Sequence, residues 1–99
     1  MDALSNALSG MQSASARVAT SAHNVANLLT EDFRPQRAVQ ESKKGGGSSV
    51  RVRTSDSAKP VQLEREIIDQ MQASTQYTAS ARVVSVASEM RGSLLDLFG

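Results

Sequence analysis

Apolar residues recur along both ends of the chain at helical spacing. Leu4, Leu8, Met11, Ser15, Val18, Ala22, Val25 and Leu29 follow alternating steps of four and three. That period keeps one stripe on one face and favours coiled-coil packing. It predicts an amphipathic helix from about Asp2 to Leu29, with Asp2 as N-cap or first-turn acid. Asn24, Asn27 and Thr30, followed by Pro35, mark its end. A second stripe, Leu63, Ile67, Ile68, Met71, Thr75, Ala79, Val83, Val86, Met90, Leu94 and Leu97, predicts a longer helix from about Val61 to Phe98. Pro60 suits a first helical position, and Glu64 and Glu66 suit the positive end of the helix dipole. Gly92 interrupts this helix at a cost of about 1 kcal/mol.

Between them the period changes to two. Val50-Arg51-Val52-Arg53 alternates, so the valines share one face and the arginines the other. Gly45-Gly46-Gly47-Ser48-Ser49 reads as a flexible tip, and Pro35 to Ser42 as the opposing strand. A lone hairpin is marginal in water, so this one should lie against the helices or a neighbouring subunit. The expected fold is mainly α: two long antiparallel helices, a coiled-coil-like pair, joined by a short β-hairpin or loop. One domain then comprises an N-terminal helix over 1–29, a hairpin or loop insert over 30–60, and a C-terminal helix over 61–99. Leu4, Leu8, Met11, Val18 and Val25 are expected to face Ile67, Met71, Val83, Val86, Met90, Leu94 and Leu97, within or between subunits.

The polar positions change the picture. Between Ala3 and Leu29 the charged or titratable residues are Arg17 and His23, and between Asp69 and Glu89 the one charge is Arg82. An ordinary solvated helix carries more charge on its outer face. Ala, Ser, Thr, Asn and Gln fill these helices instead, which points to helices surrounded by other protein. The chain has 99 residues, two Phe, one Tyr, no Trp and no Cys. So small a chain with so few large side chains builds a poor core alone, and it has no disulfide to compensate.

Net charge is +1, which favours neither a polyanion binder nor an acidic tail. The middle is locally basic, with Arg34, Arg37, Lys43, Lys44, Arg51, Arg53 and Lys59 against Glu31, Asp32, Glu41 and Asp56. It lacks an aromatic stacking platform and a recognition helix, so nucleic acid is not an expected partner. No apolar run approaches the ~20 residues that span a bilayer, so direct membrane insertion is not expected. Met1-Asp2-Ala3-Leu4 lacks the positive start of a cleavable signal peptide. A single His and no Cys make a metal site or other cofactor unexpected. No Gly-x-Ser-x-Gly elbow or phosphate-binding loop is present. An enzyme is not expected.

The ends of the chain resemble a family. Leu4-Ser5-Asn6-Ala7-Leu8-Ser9-Gly10-Met11-Gln12, with Arg17, is similar to the N-terminal segment of bacterial flagellar rod and hook proteins. Ser21-Ala22-His23-Asn24-Val25-Ala26-Asn27 resembles the signature ending that segment. In the family, Asn-Thr-x-Gly, an aromatic and basic residues follow; here Phe33, Arg34, Gln36, Arg37 and Ala38 fit the later part, and the turn glycine is missing. Val61 to Asp69, Gln76-Tyr77-Thr78-Ala79-Ser80-Ala81-Arg82, and Ala87-Ser88-Glu89-Met90 with Ser93 to Leu97 resemble the C-terminal segment. Asn24, Ala26, Asn27, Phe33, Tyr77, Glu89 and Met90 are the motif residues.

The resemblance implies a structural subunit of the basal-body rod or hook whose terminal helices pack into a helical tube. It implies export by the flagellar export apparatus without signal cleavage, and assembly with other axial proteins and with copies of itself. The family inserts larger β-rich domains where this chain has a short hairpin, which would make it a small member. A soluble two-helix adaptor or export-chaperone-like binding module is the alternative.

Overall fold

A computed structural model describes residues 3–98. The order is α1 (Ala3–Ala26), β1 (Gln36–Ser42), β2 (Ser48–Thr54) and α2 (Leu63–Phe98). The helices pack antiparallel, and the strands form a two-stranded antiparallel hairpin laid on α1. The molecule is a rod of 62 × 24 × 15 Å.

Each element ends for a local reason. Past Ala26 the chain turns: the N–H groups of Asn27 and Leu28 reach back to the carbonyls of His23 and Val25. The Asn27 side chain also donates to the His23 carbonyl at 3.0 Å and accepts from Thr30 Oγ1. Asp2, the expected cap of α1, lies outside the described residues. Pro60 does not open α2 as expected. Gln62 offers the first helical carbonyl, to the Glu66 N–H at 3.1 Å, and Pro60 stands ahead of the helix. Nothing lies within 4 Å of where a side chain would start at Gly92.

The missing turn glycine has a substitute. Asp32, immediately before Phe33, has φ +54°, the left-handed conformation that glycine adopts freely. Asp tolerates this region better than most residues. The chain turns here without a glycine, and Phe33 lies against His23 with ring centroids 5.6 Å apart. Below it, the Pro35 carbonyl accepts from Ser55 N–H and the Phe33 carbonyl from Lys59 N–H, knitting the base of the hairpin.

The hairpin register pairs Gln36 with Thr54 and Ser42 with Ser48. Its tip is a turn closed by Gly46 N–H to the Lys43 carbonyl, with Gly45 at φ +86°. A positive φ at the third position is the requirement of a type II turn. At Gly46 a Cβ would stand 2.9 Å from Asn6 Oδ1, so the tip sits directly on the start of α1.

Replacing Asp32 by Gly should stabilise the chain by about 0.5–1 kcal/mol, since the strain of a left-handed L residue is removed against some added freedom in the unfolded chain. Asp32→Val should destabilise it by at least as much. Urea unfolding followed by circular dichroism measures both; an Asp32→Gly variant less stable than the parent would show that the Asp side chain is itself needed.

Candidate assembly surface

The seam between the helices is built from small and polar side chains. On α1 the positions facing α2 or the hairpin include Ala7, Gly10, Ala14, Arg17, Ser21 and Asn24; on α2 Glu66 and Ala73 are buried, and Gln76 and Ser80 are among the half-buried residues. Ala7, Ala14 and Ser21 are spaced by seven, as are Gly10, Arg17 and Asn24, and Glu66, Ala73 and Ser80. Seven-residue repetition holds one seam between two helices. Small residues there let the backbones come close. A Cβ on Gly10 would meet Ser80 Oγ at 2.6 Å.

Hydrogen bonds replace apolar interdigitation along this seam. Arg17 donates to Gln76 Oε1 at 2.9 Å, and Gln76 Nε2 donates to the Gly10 carbonyl at 3.0 Å. Ser21 Oγ donates to the Glu66 carbonyl and accepts from Gln70 Nε2, each at 3.0 Å. Among the described residues the buried apolar side chains are three alanines, Ala7, Ala14 and Ala73. Their three methyl groups contribute on the order of 2–3 kcal/mol.

Asn24 joins all the layers. It is 2 % exposed, the largest fully buried side chain among the described residues. Its Nδ2 donates to the Gln36 carbonyl at 2.7 Å and to Glu66 Oε1 at 3.0 Å, and its Oδ1 accepts from Gln36 N–H at 2.8 Å. One side chain on α1 thus holds the edge of β1 and the first turn of α2. Ser9 does the same for β2: it accepts from Ser48 N–H at 2.7 Å and donates to the Ser48 carbonyl. Ser13 and Ser48 share a further hydroxyl contact at 2.8 Å.

The large apolar side chains face outward. Leu8, Val18, Ile67, Met71, Val83, Val86, Met90, Leu94 and Leu97 are all exposed, Leu8 by 46 % and Met71 by 64 %; Leu4, Met11 and Val25 are half-buried. These side chains, expected to face one another within or between subunits, form no buried apolar core among the described residues. At about 100° per residue, the α1 stripe is centred roughly a quarter of a turn from its seam. On α2, Ile67, Met71 and Val86 lie off the seam, whereas Val83, Met90 and Leu97 repeat Gln76 at sevens and Leu94 repeats Ser80. The reason is steric: the seam that admits Gly10 against Ser80 is too narrow for Leu and Met. Of the motif residues, Asn24 is the buried joint, Asn27 and Phe33 shape the turn, and Ala26, Tyr77, Glu89 and Met90 are exposed.

The helices are also unequal, at 24 and 36 residues. Ser21 meets Gln70 and Gly10 meets Ser80. Extended in that register, α1 runs out near Ala87 of α2, and the last turns project by roughly 16 Å at 1.5 Å per residue. Every residue from Ser88 to Leu97 is exposed, including Met90, Leu94, Leu95 and Leu97.

Among the described residues no group of three or more His, Cys, Asp or Glu could hold a metal ion. No helix is long and apolar enough to cross a membrane. What the surface offers instead is contact area: an apolar face on each helix and a bare helix end. The class these features define is a two-helix subunit with an apolar face exposed on each helix. Residues 58–97 match the family described as flagellar basal body rod FlgEFG protein C-terminal. The matched stretch, 40 of the 99 residues, is similar to the C-terminal segment of flagellar rod proteins. No curated protein matches the chain.

Asn24→Ala should destabilise the subunit by about 2–4 kcal/mol, because it strands the N–H and carbonyl of Gln36 and removes a partner of the buried Glu66. Hydrogen exchange at the Gln36 amide should rise from protected to nearly free. Unchanged protection there would mean that Asn24 does not hold the hairpin.

Proposed function

We propose that this chain is a small axial subunit of the flagellar rod or hook, whose two terminal helices are covered by neighbouring subunits in a helical tube. The observation that carries this is the inverted seam: Ala, Ser, Gly and Asn inside, Leu, Ile, Val and Met outside. An apolar surface spread along two helices marks an interaction surface. The projecting end of α2 points the same way, because short helices without tertiary packing are marginal in water. Leu4, Leu8, Met11, Val18 and Val25 on α1 and Ile67, Met71, Val83, Val86, Met90, Leu94 and Leu97 on α2 are the contact residues in this reading.

The N-terminal likeness, from Leu4 to Asn27, supports pairing of both ends, as in the rod and hook family. In place of a large middle domain the subunit has a hairpin that hugs α1, so it adds little width to the tube. Its partners are other axial proteins, copies of itself and the flagellar export apparatus. Export without signal cleavage puts it in the basal body, beyond the inner membrane.

Leu8→Ala and Val86→Ala test the reading. Both side chains are about half exposed in the subunit. Each change should move the stability of the isolated chain by less than about 1 kcal/mol, within the range of surface substitutions and partial burial. Buried between subunits, the same truncations cost roughly 2–5 kcal/mol for Leu and less for Val. Recovery of each variant in isolated basal bodies, at equal cellular and secreted amounts, should therefore fall severalfold. Normal incorporation of both variants would remove these contacts from the interface, and absence of the parent chain from basal bodies would sink the proposal.

A further inference from the structure

The hairpin carries a feature that the packing of the helices leaves unexplained. Its register sets Arg37 directly opposite Arg53, on the face turned away from α1. The neighbouring Arg51 is neutralised by Glu41 at 2.8 Å, but Arg37 and Arg53 are in no ion pair. Like charges directly opposite each other on a sheet are destabilising. A hairpin that is already marginal thus holds two guanidinium groups together without compensation.

The surroundings add to the excess. A groove of about 910 Å³ opens between the base of the hairpin, α1 and the start of α2. Arg17, Arg37, Arg53, Lys59 and Arg65 line it against three carboxylates, and one of these, Glu66, is already engaged by Asn24. None of the five cations is in an ion pair among the described residues.

The groove also exposes backbone. In an antiparallel ladder successive residues point their N–H and carbonyl alternately to the partner strand and away from it. Gln36 points away, toward Asn24. The same alternation turns Ala38 and Gln40 away from β2, and both line the groove. Their outward N–H and carbonyl groups have no partner among the described residues. Cations on an edge strand deter pairing with another copy of that strand. They favour an added strand of opposite charge.

We propose that the open edge of β1 binds an extended, carboxylate-rich segment of a partner protein by strand addition. Main-chain bonds form at Ala38 and Gln40, and every second side chain of the added strand shares the face of Arg37 and Arg53. Charge-assisted bonds to guanidinium groups give the pairing its preference for Asp and Glu. This inference stands apart from how the helices assemble, since it uses neither apolar stripe.

The test uses the full chain and a labelled peptide of alternating Glu and Val, with binding read by fluorescence anisotropy at low salt. The peptide should bind and slow hydrogen exchange at Ala38 and Gln40. A Lys-Val peptide, and a Glu-Val peptide N-methylated on the alternate amides needed for strand addition, should each bind about tenfold more weakly or less, a loss of about 1.4 kcal/mol. The Arg37→Gln/Arg53→Gln double variant should lose affinity to a similar degree while keeping its circular dichroism spectrum, because the exchange relieves repulsion. Absence of binding by the parent overturns the proposal. So does equal binding by the N-methylated peptide, or affinity unaffected by the double variant. Tighter binding to vesicles of anionic lipid or to a single-stranded oligonucleotide would assign the cations to a different anion and overturn it as well.

Discussion

The close approach of the two helices constrains everything else in this molecule. With Gly10 set against Ser80, no side chain larger than a hydroxymethyl fits at that level of the seam. The positions one and two heptads away on α1, Arg17 and Asn24, must then lie along the seam rather than across it. They do so by hydrogen bonding to whatever passes beside them: Gln76, Glu66 and the backbone of β1. A seam of this kind derives its specificity from geometry. Each donor has one acceptor at one register, and a slip of a turn would strand several buried polar groups at about 1–3 kcal/mol each.

The hairpin is held by the same logic at two points. Asn24 grips the edge of β1 at its start, and Ser9 grips the edge of β2 at its start. Fifteen residues of helix between them span roughly 22 Å, and a seven-residue strand spans about the same. The strands are therefore as long as the distance between the two side chains that clasp them. The hairpin lies lengthwise along α1 and extends the rod little beyond its narrow cross-section. Its three tip glycines, all with positive φ, let the chain reverse over Asn6 without widening it.

Much of this was legible from residue pattern. The two helices, the hairpin and its Val/Arg alternation follow from period alone. What period could not decide was which stripe of each helix faces inward. Large apolar residues on an amphipathic helix ordinarily mark the core, so Leu4, Leu8 and Met11 drew the seam toward themselves. The competing signal was quieter: Ala7, Ala14 and Ser21 at sevens, Gly10 between them, and an outer surface nearly free of charge. Read together, these describe a helix packed on both sides, closely on one and with large side chains on the other. The left-handed Asp32 was hidden for a different reason. Asp adopts that conformation too seldom for its identity to announce it, and it is the adjoining Phe33 that gives the position meaning. Asn24 was legible as a motif residue but not as a joint, because its partners come from β1 and α2, distant in the chain.

Under the proposed function, the inversion of the seam suits a subunit that is both exported and assembled. A protein whose stability rested on a core of Leu and Ile would have to surrender that core to pass through a channel unfolded. Among the described residues the buried apolar material is three methyl groups, and the remaining bonds are polar ones that water can replace one by one. The large transfer free energy of Leu, Ile, Val and Met is left for contacts between chains, where it acts only once neighbours are present. In the proposed assembly, stability is then a property of the assembly more than of the subunit, as in obligate oligomers whose protomers are poorly stable alone. The unequal helix lengths carry this further. Because α2 outruns α1, Leu94, Leu95 and Leu97 stand exposed beyond the paired part of the two helices, and in the proposed assembly a neighbouring chain covers them. If that partner surface differs from the surface presented, the contact is heterologous, and repetition of a heterologous contact generates a ring or an open helix. A short rod-shaped subunit with its apolar side chains along its flanks and at one end is suited to the second outcome.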